Sequence, residues 1–336
     1  MRWLSRLMRE EEGQVLVVVA LGLAALLGFA ALAIDVGFFM WEKRALQNAA
    51  DASALAGVME LPRSPETAVE VANAYAVRNG VESRGWVVEA INVSTDATTI
   101  TVSVAHPNAP FMLGRVLGLL GVDVRARATA AINSPRRLSN VMPWMLKRSV
   151  YEAAGNGDLV ILKYDALNPE QGNFWPLAIE GRGSAAYRRN IQEGAVVELQ
   201  VEYDTEPGNM VGPTQQGLQR RLSETIRECD EWDEAFSVES GDTLHLSPQC
   251  NPWLGKEGSK RVVAIPLVED TDLGGRIRVR VVGLALAFLE DFQCLRGNEC
   301  QVMARLAKAV ASLQDPESRL GPFNPNVGIR VLRLVQ

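Results

Sequence analysis

The residues able to do chemistry are few and scattered. The 336-residue chain carries two histidines, His106 and His245, and four cysteines, Cys229, Cys250, Cys294 and Cys300. A metal centre or a nucleophile–base pair needs such groups to converge at fixed local spacings. No two cysteines form a CxxC pair, which weakens a zinc or thioredoxin-like reading. The sequence holds no G-x-S-x-G elbow, phosphate-binding loop or H-E-x-x-H helix. His106 stands before Pro107 and reads as a strand-end residue rather than a ligand. His245, in TLHLSPQ, could line a site with Cys250. No pair of carboxylates stands out in an apolar setting. The expectation is a non-enzyme with no catalytic, cofactor-binding or metal-binding residues.

The cysteines suit another role. All four fall in the C-terminal part, and an even number there fits two disulfides in an oxidising compartment. Four free buried thiols are the alternative. Cys294 and Cys300 flank a plausible Gly297-Asn298 turn, and Cys229 and Cys250 flank a separate segment. The spacing predicts the bonds Cys229–Cys250 and Cys294–Cys300.

What must position these residues begins with the run from Val15 to Ile34, which is built only from Val, Leu, Ala, Gly, Phe and Ile. As a helix it covers roughly 30 Å, the thickness of a bilayer's hydrocarbon core. A cleaved secretory signal competes with this reading, but signal cores run to about 7–15 residues and end at a small-residue cleavage site. Here the run flows into Asp35-Val-Gly-Phe-Phe-Met-Trp41. Phe38, Phe39 and Trp41 suit a membrane–water interface, and Glu42, Lys43 and Arg44 close the span. Asp35 reads as a solvated helix-end residue, with an intramembrane functional charge as the alternative. Small residues at Ala20, Ala24 and Gly28 recur at four-residue spacing, and Ala45, Ala49, Ala52 and Ala56 fall along one face. Such a stripe lets membrane helices approach closely, so a homo-oligomer through this helix is one reading and Ala-rich composition is the other.

Charge excludes one class of partner. The net charge is −6, and the part beyond Asp35 carries −5, which argues against nucleic acid. Charge does not set orientation, because Arg2, Arg6 and Arg9 on one side are matched by Lys43, Arg44 and Arg63 on the other.

Four segments follow. Residues 1–13 form a short tail and 14–60 a membrane helix with an Ala-rich extension to Gly57. Residues 61–133 read as a small α+β unit. It holds a helix from Ser64 and Pro65 to Gly80, strands at 86–94, 99–105 and 122–132, and a helix at 110–120 carrying Phe111, Leu113, Val116, Leu117 and Leu120. Ser134-Pro135-Arg136-Arg137 reads as a linker to a β-rich, sandwich-like domain over 134–336. Strands are expected there at 159–164, 177–179, 196–203, 261–268, 276–289 and 327–335. Two Cys-bearing insertions interrupt it, at 228–258 and 293–326, the second with a helical stretch over 301–313. The overall class is α+β.

Several strings resemble the TadE/TadG-like family of the Tad (tight adherence, Flp pilus) assembly machinery. They are Gly13-Gln14-Val15, Ala33-Ile34-Asp35-Val36-Gly37, and Leu46-Gln47-Asn48-Ala49-Ala50-Asp51-Ala52-Ser53-Ala54-Leu55-Ala56-Gly57. Later strings are similar to a TadG-related group: Gly172-Asn173-Phe174, Ser184-Ala185-Ala186-Tyr187-Arg188-Arg189-Asn190-Ile191, and Thr205-Glu206-Pro207-Gly208-Asn209-Met210-Val211-Gly212-Pro213-Thr214. The two Cys-bearing insertions depart from the family pattern. The resemblance implies a bacterial envelope protein with a cytoplasmic N-terminus and its bulk outside. It implies a role in building or anchoring a pilus, or a related secretion apparatus, beside other pilus-assembly or pilin-like proteins, and no catalytic residues. Some relatives are processed after a Gly by a prepilin peptidase. Gly13 and Gln14 sit at the matching place, but Val18 stands where those relatives carry Glu. The loop 205–214 is dense in Gly and Pro, which fixes turn geometry; a partner contact is the alternative. A surface adhesin or cell-wall-binding protein, and more remotely an anchored hydrolase, are the competing functions.

Overall fold

The computed structural model describes residues 11–163, 176–206, 208, 210–238, 244–254, 258–269, 277–294 and 300–335. The chain divides into two compact units. One comprises Met1–Gly57, Arg63–Ala130 and Leu334–Gln336, the other Val58–Pro62 and Ala131–Arg333. The whole is α+β, with a long apolar helix, a few further helices and a large mixed sheet.

Helix α1 runs unbroken over Glu11–Val58. Its 48 residues contain no proline, so nothing interrupts the ladder over a length of about 72 Å. From Val15 through Ala30 every residue is exposed. Leu16, Leu27 and Phe29 each leave more than two thirds of their surface open. Water would penalise such a face, whereas hydrocarbon would not. This segment is long and apolar enough to cross a membrane. Further along, Leu46, Ala49, Ala50 and Ala54 are buried in the first unit.

The first unit is built on that buried half. Helix α2 (Pro65–Arg78) starts where expected: Ser64 Oγ accepts from the Thr67 amide and Pro65 occupies the first turn. It buries Ala68, Ala72 and Ala76. Strands β1 (Val87–Val93) and β2 (Thr99–Pro110) form an antiparallel hairpin from Val87↔Ala105 to Val93↔Ile100. Ile100, Val102 and Val104 are buried, as their alternation requires.

Two expectations fail here. The helix expected over 110–120 is only a 3-10 turn, Gly114–Leu117. Gly118 beyond it has φ +83°, a conformation that ends a helix. The expected linker Ser134–Arg137 lies inside β3 (Gly121–Val141). Arg137 pairs with Glu198, and Leu320 stands opposite Pro135 at a register shift. An irregular pairing is where a strand tolerates a residue without an N–H.

Beyond β3 the second unit carries the short strands β4 (Leu146–Lys147), β5 (Leu159–Lys163), β6 (Ala195–Glu198), β7 (Glu202–Asp204), β8 (Phe236–Val238) and β9 (Leu244–Leu246). It centres on β10 (Val262–Val268) and β11 (Arg278–Cys294), which pair antiparallel. All seven residues of β10 are buried. Val262, Ala264 and Val268 face one apolar core with Trp253 and Phe288, while Val263, Ile265 and Leu267 face another with Trp144 and Tyr151. A strand covered on both faces reads as continuous apolar sequence rather than alternation. Strand β12 (Cys300–Ala307) pairs with β11 on one side and β5 (Leu159–Lys163) on the other. This corrects the helix expected over 301–313. The segment is rich in helix formers, but Cys300, Val302, Ala304 and Leu306 are buried while Gln301, Met303 and Arg305 are only partly covered. That period of two fits a sheet and overrides propensity.

Helices α4 (Gly183–Glu193) and α5 (Val211–Leu222) contribute Tyr187, Ile191 and Leu218 to the second of these cores. Sequence reading assigned neither, although buried Tyr187, Asn190 and Ile191 follow helical spacing. The guanidinium of Arg221, fully buried on α5, donates to the carbonyls of Lys260 and Ile191 and to Asn140 Oδ1. Burial pushes it down to about 9, so it stays protonated at neutral pH. All four cysteines are bonded: Cys229 to Cys250 and Cys294 to Cys300. The second bond joins facing positions of β11 and β12. The turn proposed at Gly297-Asn298 lies outside the described residues.

Candidate functional site

The polar residues of α1 just beyond the apolar run converge on the first unit. Asp35 follows Ile34 directly and is only 4% exposed. Its Oδ1 accepts from the Met112 amide at 2.7 Å and the Leu113 amide at 3.0 Å, and its Oδ2 from the Gly114 amide at 2.7 Å. Three consecutive N–H groups at the mouth of a 3-10 turn form a small anion nest, and a carboxylate is the natural occupant. The expected solvated helix-end residue is therefore a buried clasp. Nothing local to Asp35 announces this, because the three amides lie 77–79 residues further along the chain. Beside the clasp, the Phe39 and Phe111 rings meet edge to face with centroids 4.9 Å apart.

Two turns on, Glu42 is also buried. Its Oε1 accepts from Trp86 Nε1 at 2.8 Å and lies 2.5 Å from His106 Nδ1. His106, expected at a strand end, sits within β2 and reaches back to α1. The Arg84 guanidinium lies over the rings of both Trp41 and Trp86, a favourable cation–π geometry. Lys43 donates to the Arg125 carbonyl, and Gln47 Nε2 to the Arg127 carbonyl at 3.0 Å and to Asp51 Oδ1 at 2.8 Å. Gly57 ends the series. A Cβ there would lie 2.8 Å from the Ala68 carbonyl oxygen and from Ile100 Cδ1. One helix face thus ties its own unit together through Asp35, Glu42, Lys43, Gln47 and Gly57.

A falsifiable consequence concerns Glu42. Glu42→Ala leaves the Trp86 indole N–H without its buried acceptor and should destabilise the unit by about 2–3 kcal/mol. Chemical denaturation of detergent-solubilised protein, followed by tryptophan fluorescence, reads this. An unchanged midpoint would show that the carboxylate contributes nothing.

This is the stretch that the comparisons single out. Residues 13–60 match the family model described as "Putative Flp pilus-assembly TadE/G-like". The match starts at the mouth of the apolar run and stops just past Gly57, so it covers the span and the whole series of ties. No curated protein matches the chain. No solved structure matches it either.

The remaining residues expected to matter are placed elsewhere. Ala20, Ala24 and Gly28 are exposed, and a Cβ on Gly28 meets nothing within 4 Å. Gly13 and Gln14 lie in the first turn of α1. His245 lies in β9 (Leu244–Leu246), but the Cys250 thiol that a shared site would need is bonded to Cys229. Among the described residues no group of three or more His, Cys, Asp or Glu could hold a metal ion. Of the loop expected over 205–214, residues 211–214 are instead the first turn of α5; Thr205, Glu206 and Thr214 are buried. Glu206 Oε1 accepts from the Gly183 amide, and Thr214 Oγ1 donates to the Met210 carbonyl. Gly208, at φ +90°, and Met210, at φ 48°, supply the left-handed backbone of the turn. Pro207, Asn209 and the string 172–174 lie outside the described residues.

Proposed function

We propose that the protein is a non-catalytic, single-pass envelope protein that assembles or anchors a Tad/Flp-type pilus or a related secretion apparatus. The N-terminus lies in the cytoplasm, the bulk lies outside, and the chain is TadG-related. One observation carries this: the family match over residues 13–60 coincides with an exposed apolar helix and with the polar ties that fold the first unit onto it. An anchor alone would need only apolar length. The chemistry supports structure rather than catalysis, since the buried Asp35 and Glu42 carboxylates are engaged by amide, indole and imidazole groups. The two disulfides suit an oxidising compartment. The exposed Ala20, Ala24 and Gly28 face offers close packing to a second membrane helix, of this chain or of another pilus-assembly protein.

Exchanging residues 15–34 for an unrelated apolar helix of equal length, with Asp35 onward kept, tests the reading. Membrane levels should hold while pilus assembly falls, because the small face is lost. Undiminished assembly would reduce the span to an anchor. Assembly unaffected by deleting the whole gene would remove the pilus role and favour the adhesin.

A further inference from the structure

The loop held by Asp35 is unusual in what it exposes. Val116 is 88% exposed, Leu120 79% and Met112 59%. Leu113, Leu119 and Val122 are each at least 40% open. Arg115 stands among them, also exposed. This is a contiguous apolar loop on a small unit, and such surfaces mark contact with a partner or a membrane.

Its position identifies which. Three amides of the loop bond the Asp35 carboxylate, and Asp35 is the residue directly after the apolar run. The loop is therefore fixed at the depth of that helix position. If residues 15–34 fill the hydrocarbon core, Asp35 lies at its edge and the loop lies there too. On α1 the Phe39 ring packs edge to face on Phe111 at the start of the loop, so apolar side chains of helix and loop meet beside the clasp. A cation beside apolar side chains suits the boundary of acyl chains and phosphate headgroups.

We infer that residues 112–120 seat in the headgroup–acyl boundary of the bilayer, giving the first unit a second membrane contact beside its helix. The occupant is lipid. The inference rests on the anchoring reading, and it explains why a charged residue ends the span. The Asp35 carboxylate turns to backbone amides rather than to lipid, and those amides bring the apolar loop to the membrane.

The test uses the full chain in phosphatidylethanolamine–phosphatidylglycerol vesicles. Because the native cysteines are bonded, a single introduced cysteine can carry a nitroxide. Val116→Cys and Leu120→Cys report on the loop, Leu27→Cys on the span, and Thr95→Cys on the exposed turn between β1 and β2. Collision with oxygen measures lipid exposure, and collision with a water-soluble nickel chelate measures aqueous exposure. The loop labels should resemble Leu27, with nickel accessibility about fivefold or more below that of Thr95. Loop labels as open to nickel as Thr95, with Leu27 in lipid, would overturn the inference and leave the anchor standing. Leu27 open to nickel would overturn the anchoring reading and the inference with it. Loop labels shielded from both colliders would overturn the lipid occupant in favour of protein, such as a second copy of this chain.

Discussion

Asp35→Ala should release the loop 112–114 from helix α1. The three amides that the carboxylate accepts would lose their acceptor at once. Their hydrogen exchange should quicken by at least about tenfold, while amides of β2 stay protected. Membrane insertion should survive, because the apolar run is untouched. Asp35→Asn should be intermediate. Its carbonyl can still serve Met112 and Leu113, but its NH2 would face the Gly114 amide. Protection that does not change in Asp35→Ala would mean the clasp carries no load. If the clasp also positions the unit for its partners, pilus assembly should fall in Asp35→Ala at equal membrane level.

The second large effect is expected at Gly57. Here α1 lies against α2 and β2, with the Ala68 carbonyl, Ala72 and Ile100 all within 3 Å of where a side chain would begin. One of these neighbours is backbone, which yields little. Gly57→Val should destabilise the first unit by about 3 kcal/mol, at the upper end of overpacking costs. Gly28→Val serves as the control, since nothing stands within 4 Å there. Thermal unfolding in detergent compares them. Equal stability of the two variants would show that the close approach at Gly57 is not present in solution.

What was legible in the sequence follows the physics of each segment. The apolar run could be read from length alone, because bilayer thickness sets a requirement that few other segments meet. The hairpin β1–β2 was legible because one face is buried and the other is not, so Ile100, Val102 and Val104 alternate with polar residues. The strings between Gly13 and Gly57 mark the stretch that the family model matches without showing what its polar residues touch. Asp35 and Glu42 carry their meaning only in three dimensions, since their partners Met112–Gly114, Trp86 and His106 are distant in sequence.

The failures have equally specific causes. The segment 301–313 offers Ala, Leu, Met, Arg and Lys, which favour a helix, and only pairing with β11 and β5 reveals it as a strand. The segment 110–120 has apolar residues at near-helical spacing, yet Leu113, Val116 and Leu120 are exposed. Sequence periodicity records a shared face without saying what that face touches. Helices α4 and α5 carry weak helix signals: α5 holds Gly212, Pro213 and Gly217, which disfavour a helix, and α4 has few apolar residues to set a period.

Protease added to intact spheroplasts should reveal whether one helix anchors the chain with its folded bulk outside the cell membrane. Epitopes placed at the N-terminus and after Gln336 report the two ends. The account predicts that the C-terminal epitope is lost while the N-terminal one is spared until the membrane is permeabilised. A C-terminal epitope that stays protected in intact spheroplasts would contradict it.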